Sequence, residues 1–185
     1  MTSIDSRDAA SALSEINEIA RRVRQSRIYN LASLIMIMWG VLVFAGHIVE
    51  HLLPRGAIWS WLAITVLGIA GSFAISAMTR VRSGVRTFDA RFFTAFVLFL
   101  GFGYLWTFGV GQFTPRQLDT FWPMYFMLVY TIVGLWFGRA FVAIGLGVTV
   151  LTLIGYFFIG DWFHLWMAVV NGGGLILGGL WMRRS

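Results

Sequence analysis

The chain has 185 residues, of which 58% are hydrophobic and 12% are charged, with no cysteine and a formal net charge of +6. Soluble domains carry about 25% charged residues, so this composition is typical of a membrane protein. The lack of cysteine excludes disulfides and thiolate metal sites. The arginines are distributed as topology signals, so we expect anionic lipid, and not nucleic acid, to be their partner.

Residues 1–27 are predicted to form an amphipathic helix on the cytoplasmic side of the membrane. Leu13, Ile16, Ala20 and Val23 recur at steps of three and four residues, which gives an apolar stripe. Acidic residues come early in this segment and arginines late, as the helix dipole favours. The stripe can lie on the lipid surface or dock on another protein, and both interpretations are open at this point.

Residues 28–185 are predicted to form one domain, a bundle of six transmembrane helices, so the predicted fold class is an all-α membrane protein. The first span lies within residues 28–53 and carries no charge between Leu31 and Ile48. Each apolar segment has roughly the 17–25 residues needed to cross about 30 Å of hydrocarbon. The other five segments are Ile58–Met78, Phe92–Phe113, Phe121–Phe137, Phe141–Ile159 and Trp162–Trp181.

The basic residues orient these spans. If the N-terminus is cytoplasmic, only Arg55 and Arg116 of the 14 basic residues fall on the outer side. Cytoplasmic loops carry an excess of positive charge, so this bias predicts that both termini are cytoplasmic. All of the basic residues are arginine, which we interpret as the codon bias of a GC-rich bacterial genome. The predicted location is therefore a bacterial inner membrane, crossed several times, with the lipid bilayer as the first partner.

All three histidines and two acidic residues are predicted to lie near the outer face. His47, Glu50 and His51 share one helical face because they are three and four residues apart, and Asp161 and His164 share another. The two groups could converge on a zinc or copper ion, or His47 and His164 could bracket a haem. The alternative is that these side chains only cap helices at the membrane interface, and the sequence favours no cofactor.

The last span carries an amide in its apolar interior, Asn171, which Gly172, Gly173 and Gly174 follow. One interpretation is close helix packing, in which small residues let two backbones approach and the amide bonds a neighbouring helix. The other is a locally unwound helix that lines a solute-binding site.

The sequence predicts no catalytic residue, and a non-enzymatic protein is favoured. No charged residue or histidine lies in the middle of a span, which disfavours a proton-coupled pump, and no nucleotide-binding loop or nucleophile elbow occurs. The leading hypothesis is a small accessory or sensory subunit that acts through partners, one of which could bind residues 1–27. The alternatives are a small-solute transporter or binding subunit that uses Asn171, and a metal- or haem-binding membrane protein that uses the outer histidines.

The predicted topology is testable by labelling of single cysteines in intact cells. Cysteines at Arg82, Arg139 and Ser185 should be protected from an impermeant reagent, because these positions are predicted to be cytoplasmic. Cysteines at Arg55 and Arg116 should be labelled. Labelling of positions 116 and 139 from the same side of the membrane would contradict the six-span prediction.

Overall fold

A computed structural model describes residues 6–83 and 90–184, and every regular element in these ranges is helical. The helices are α1 (Ser6–Leu52), α2 (Ala57–Ser83), α3 (Ala90–Tyr104), α4 (Pro115–Phe137), α5 (Arg139–Phe158), α6 (Phe163–Met167) and α7 (Gly174–Arg184). A 3₁₀ turn, Pro54–Gly56, leads into α2, and a π-helical turn, Leu105–Val110, extends α3. A second π-helical turn, Ala168–Gly173, joins α6 to α7, so that Phe163–Arg184 forms one C-terminal helix.

Five of the described helices are long and apolar enough to cross a membrane, which supports a membrane protein and confirms the all-α class. They comprise Tyr29–Leu52, Pro54–Thr79, Pro115–Phe137, Arg139–Phe158 and Phe163–Arg184. A shorter apolar helix, Thr94–Val110, corresponds to the predicted third span. Of the predicted loop between the second and third spans, residues 84–89 lie outside the described ranges.

The predicted amphipathic segment and the first span belong to one helix. Helix α1 has 47 residues without a break at residue 27, and a helix of that length extends about 70 Å. In its N-terminal part Leu13, Ile16 and Ile19 are exposed. The position of this part relative to a membrane, and its role as a docking segment, stay predictions.

The close contact between α1 and the C-terminal helix depends on glycines. A Cβ atom at Gly40 would lie 2.8 Å from the Gly172 carbonyl oxygen, and one at Gly172 would lie 2.5–2.7 Å from backbone and Cβ atoms of Phe44. Two turns further along, Gly179 faces the Ser33 carbonyl oxygen in the same way. Small residues that let two backbones approach are a common means of helix association in membranes.

Helix α2 packs on α1 by placing glycines under large side chains. Gly68 lies beneath the indole ring of Trp39, whose Nε1 donates to Ser72 Oγ at 3.0 Å. Gly46 of α1 in turn lies against Trp61 of α2. The two helices therefore form an antiparallel pair that the short turn Pro54–Gly56 connects.

Helices α4 and α5 form a second antiparallel pair, with Gly138 as the whole connection. This glycine has φ of +142°, a conformation that other residues rarely adopt, which explains why the hairpin can be so tight. Gly145 fits against Thr131 and the Met127 carbonyl oxygen in the facing helix. The core lies where this pair meets α1 and the C-terminal helix: Met36, Met127, Ala140, Phe141, Ile144, Val148, Val170, Leu175 and Met182.

The glycine contact predicts a difference between two adjacent residues. Gly172→Ala should lower the free energy of unfolding by about 1–3 kcal/mol, because the new methyl group must displace the α1 backbone at Phe44. Gly173→Ala is the matched control, since a Cβ there meets no atom within 4 Å and alanine favours the helix by up to about 1 kcal/mol. Thermal unfolding in detergent measures both variants, and equal midpoints would contradict the packing.

Candidate metal centre

The ends of several helices meet at one end of the bundle. Helix α1 ends there at Leu52, and α4 and the C-terminal helix begin there at Pro115 and Phe163. The turn Pro54–Gly56 brings the first turns of α2 beside the end of α1. We call this the Glu50 end.

The Glu50 end contains a cluster of two histidines and two carboxylates: His47, Glu50, Asp119 and His164, here the histidine–carboxylate cluster. Glu50 Oε2 lies 3.6 Å from His47 Nδ1 and 3.7 Å from His164 Nδ1. Asp119 Oδ2 lies 3.6 Å from the same His164 nitrogen. The ligand atoms offered by His47, Glu50 and His164 all lie within 4.8 Å of one another.

The cluster is buried at His47 and Glu50 and partly exposed at His164, and several of its polar atoms have no hydrogen-bond partner within the described residues. His47 is 1% exposed, and neither of its ring nitrogens is hydrogen-bonded there. The same holds for Asp119 Oδ2 and His164 Nδ1. His47 Nδ1, His164 Nδ1 and Asp119 Oδ2 each lie within 3.7 Å of an ionisable partner, whereas His47 Nε2 has no polar partner within the described residues, and such a buried group costs about 1–3 kcal/mol.

Trp61 fixes the orientation of two members of the cluster. Its Nε1 donates a hydrogen bond of 3.0 Å to Glu50 Oε2, and its indole ring meets the His47 ring edge to face at a centroid distance of 4.9 Å. Trp61 reaches this place because α2 folds back directly after the short turn. Trp61 was not predicted as a site residue, since an indole eleven residues from Glu50 gives no local signal.

Asp119 was not predicted as a site residue, and the reason lies in the start of α4. The predicted span began at Phe121, whereas the helix begins at Pro115 and already includes Asp119. Thr114 caps this helix, accepting from the Gln117 backbone N–H at 3.3 Å while the Gln117 side chain accepts from the Thr114 N–H. Thr-Pro-x-Gln is the sequence signature of a capping box with proline at the first helical position, so a signal was present.

Arg116 holds the start of α4 against the end of α5. Its guanidinium group donates to the carbonyl oxygens of Gly155, Tyr156 and Ile159, and it lies 4.5 Å over the ring of Phe163. Those carbonyls lie at the end of α5, where the Gly155 carbonyl oxygen also accepts from the Ile159 N–H at 3.1 Å. Since Phe163 precedes His164, this contact places His164 beside Asp119.

The other predicted members of the metal site lie at or beyond its edge. His51 is half-buried, with its ring stacked on Trp162 at 6.3 Å and 6.5 Å from the ring of His164. Asp161 is exposed, in the turn before the C-terminal helix, and is not a member of the cluster. The structure therefore brings His47, Glu50 and His164 together, leaves His51 adjacent and leaves Asp161 outside.

The predicted solute site at Asn171 has the contacts of a packing face. Asn171 is 3% exposed, and its amide nitrogen lies 3.4 Å from Met167 Sδ on the same helix. Gly172 lies against α1, Gly173 faces open space, and Gly174 meets only Val148. The amide contact lies within the helix itself and not, as the packing interpretation predicted, with a neighbouring helix, and solute binding there stays a prediction.

The distances in the cluster suit a small divalent ion. Zinc bonds of 2.0–2.1 Å to nitrogen and oxygen give tetrahedral edges of about 3.3–3.4 Å, so the two separations from Glu50, 3.6 and 3.7 Å, need to shrink by a few tenths of an ångström, and all three ligand atoms lie within 4.8 Å of one another. Imidazole with carboxylate favours zinc, copper and iron, whereas calcium and magnesium prefer oxygen alone. A haem between the histidines is disfavoured, because the Glu50 carboxylate lies between the two rings.

Comparison with known proteins gave no relative from which a role could be carried over. No match to this chain was found among protein families, curated proteins or solved structures.

The role of Arg116 is testable through stability. Arg116→Gln should lower the free energy of unfolding by about 2 kcal/mol, because three carbonyls at the end of α5 lose a charged donor. Arg55→Gln is the matched control, since Arg55 is exposed in the turn Pro54–Gly56 and its loss should change stability by less than about 0.5 kcal/mol. Unfolding in detergent followed by circular dichroism measures both, and equal losses would contradict this role.

Proposed function

We propose that the chain is a small multi-pass membrane protein that binds one divalent transition-metal ion and acts as an accessory or sensory subunit. The observation that carries the proposal is the convergence of His47, Glu50 and His164 from two different helices, with their ligand atoms within 4.8 Å of one another. Asp119 from α4 adds a fourth ligand or an orienting partner for His164. Zinc is the favoured ion because it takes nitrogen and oxygen ligands without a preferred d-electron geometry.

A bound ion would satisfy the polar atoms that the fold leaves without partners. Both His47 nitrogens and one Asp119 oxygen lack hydrogen bonds within the described ranges, although the surrounding site is buried. Two buried carboxylates repel one another, and a divalent cation between them offsets that charge. The alternative, that these side chains only cap helix ends at the membrane interface, would explain neither why His47 is buried nor why the side chains converge.

The proposed membrane arrangement has six spans in a bacterial inner membrane, with residues 1–27 and the C-terminus in the cytoplasm. Five long helices and the shorter helix Thr94–Val110 supply the six crossings. The positive-inside bias of the arginines then assigns the Glu50 end to the outer side. The metal ion would thus be taken from outside the cytoplasm.

A sensory or accessory role is supported by the continuity of α1. The helix that supplies two ligands, His47 and Glu50, carries the exposed apolar residues Leu13, Ile16 and Ile19 nearer its other end. Ile16 and His47 are 31 residues apart, which corresponds to about 46 Å along a helix. A partner protein bound to residues 1–27 would therefore contact the same rigid element that holds the ion.

Zinc titration of the full-length protein in detergent tests the proposal. Wild type should bind one zinc ion per chain with a dissociation constant below about 1 µM, measured by competition with a chromophoric chelator. His47→Gln and His164→Gln should each weaken binding by at least about 100-fold, because loss of a ligand exceeds the 10–100-fold effect of losing an outer-shell partner.

Asp161→Asn is the matched control for charge near the site. Asp161 is exposed and lies outside the cluster, so this variant should bind zinc like wild type. Wild type that binds no zinc at micromolar concentrations, or histidine variants with unchanged affinity, would contradict a metal site in the histidine–carboxylate cluster.

A further inference from the structure

The histidine–carboxylate cluster is closed on one side and accessible on the other. The His47 side chain is 1% exposed and that of Glu50 10%, whereas that of His164 is 31% exposed. His47 also lies one helical turn further from the end of α1 than Glu50 and His51 do. Among the described side chains of the cluster His164 is thus the most exposed, and we expect an ion to enter beside it.

A third imidazole stands at this accessible side. His51 follows Glu50 directly on α1 and is half-buried, and its ring centroid lies 6.5 Å from that of His164. Two nitrogens bound to one zinc ion at 2.0–2.1 Å lie about 3.3–3.4 Å apart in a tetrahedral site, so the two tilted rings must turn towards each other before one ion can bind both.

A ring on the outer side of the cluster, that of Trp162, positions the ring of His51. The His51 ring stacks on Trp162 with an interplanar angle of 26°, and Trp162 itself is 68% exposed, in the turn that leads into the C-terminal helix. His51 thus packs on an exposed ring at the outer side of the cluster. His47 and Glu50 are instead held by Trp61, which packs on the first and bonds the second.

We infer that His51 is an exchange ligand, which receives the ion at the accessible side and passes it through His164 to Glu50 and His47. This inference rests on the proposed metal function. In each step one ligand bond forms as another breaks, so a divalent ion enters without losing all of its ligands at once. The charge of the ion does not change, and each water that it carried leaves to the outer side.

An exchange ligand affects rates and leaves the equilibrium unchanged. His51 binds the ion in the passage and not in the final site, so its loss raises the barrier for entry and exit equally. A resident ligand behaves differently, because its loss raises the dissociation constant. A purely structural His51 would change neither rate constant.

Stopped-flow binding of Co²⁺ to the full-length protein in detergent separates these cases. The visible absorbance of Co²⁺ reports association, and dissociation is measured by adding excess chelator to the loaded protein. We expect His51→Gln to lower both rate constants by about tenfold, with their ratio within twofold of wild type. Asp161→Asn is the control for electrostatic attraction at the same side, and it should leave the dissociation rate unchanged.

Three results would overturn the inference or its basis, and they are distinguishable. His51→Gln with wild-type rate constants would show that His51 takes no part in exchange. A dissociation constant raised by tenfold or more with an unchanged association rate would make His51 a resident ligand. Wild type that takes up neither Co²⁺ nor Zn²⁺ would remove the proposed function itself.

Discussion

The close approach of α1 to the C-terminal helix is the contact on which the rest of the structure depends. Gly40 and Gly172 let the two backbones meet, and this sets the register of the antiparallel pair. In that register the end of α1 lies opposite the start of the C-terminal helix, which places Glu50 within 3.7 Å of His164. A larger side chain at either glycine would separate the helices and the ligands together.

Much of the fold was predictable because hydrophobic length is a strong signal in a membrane chain. The tight connections at Gly138 and at Gly160–Asp161 follow from the few polar residues available between apolar runs. The continuity of α1 could not be predicted, since the sequence of an amphipathic segment followed by a span is compatible both with one continuous helix and with two helices joined by a bend. The starts of helices were predicted least accurately: α4 was predicted to begin at Phe121 but begins at Pro115.

The candidate site was only partly predictable, for a physical reason. Helical spacing places His47 beside Glu50, and the structure adds His164 from a distant segment. Spacing gives no information on which neighbouring helix supplies the remaining partners, so Asp119 and Trp61 were missed. Asp161 was grouped with His164 because the two are three residues apart, but it lies in the turn before the helix begins.

The central claim is that imidazole nitrogens and carboxylate oxygens of the histidine–carboxylate cluster bind one metal ion directly. X-ray absorption at the zinc edge, on the full-length protein loaded with one equivalent of zinc, measures this shell without any assumption about function. We expect about four nitrogen or oxygen atoms at 2.0–2.1 Å and outer-shell scattering from two imidazole rings. A shell without imidazole scattering would contradict the claim, because His47 and His164 would then not be the ligands.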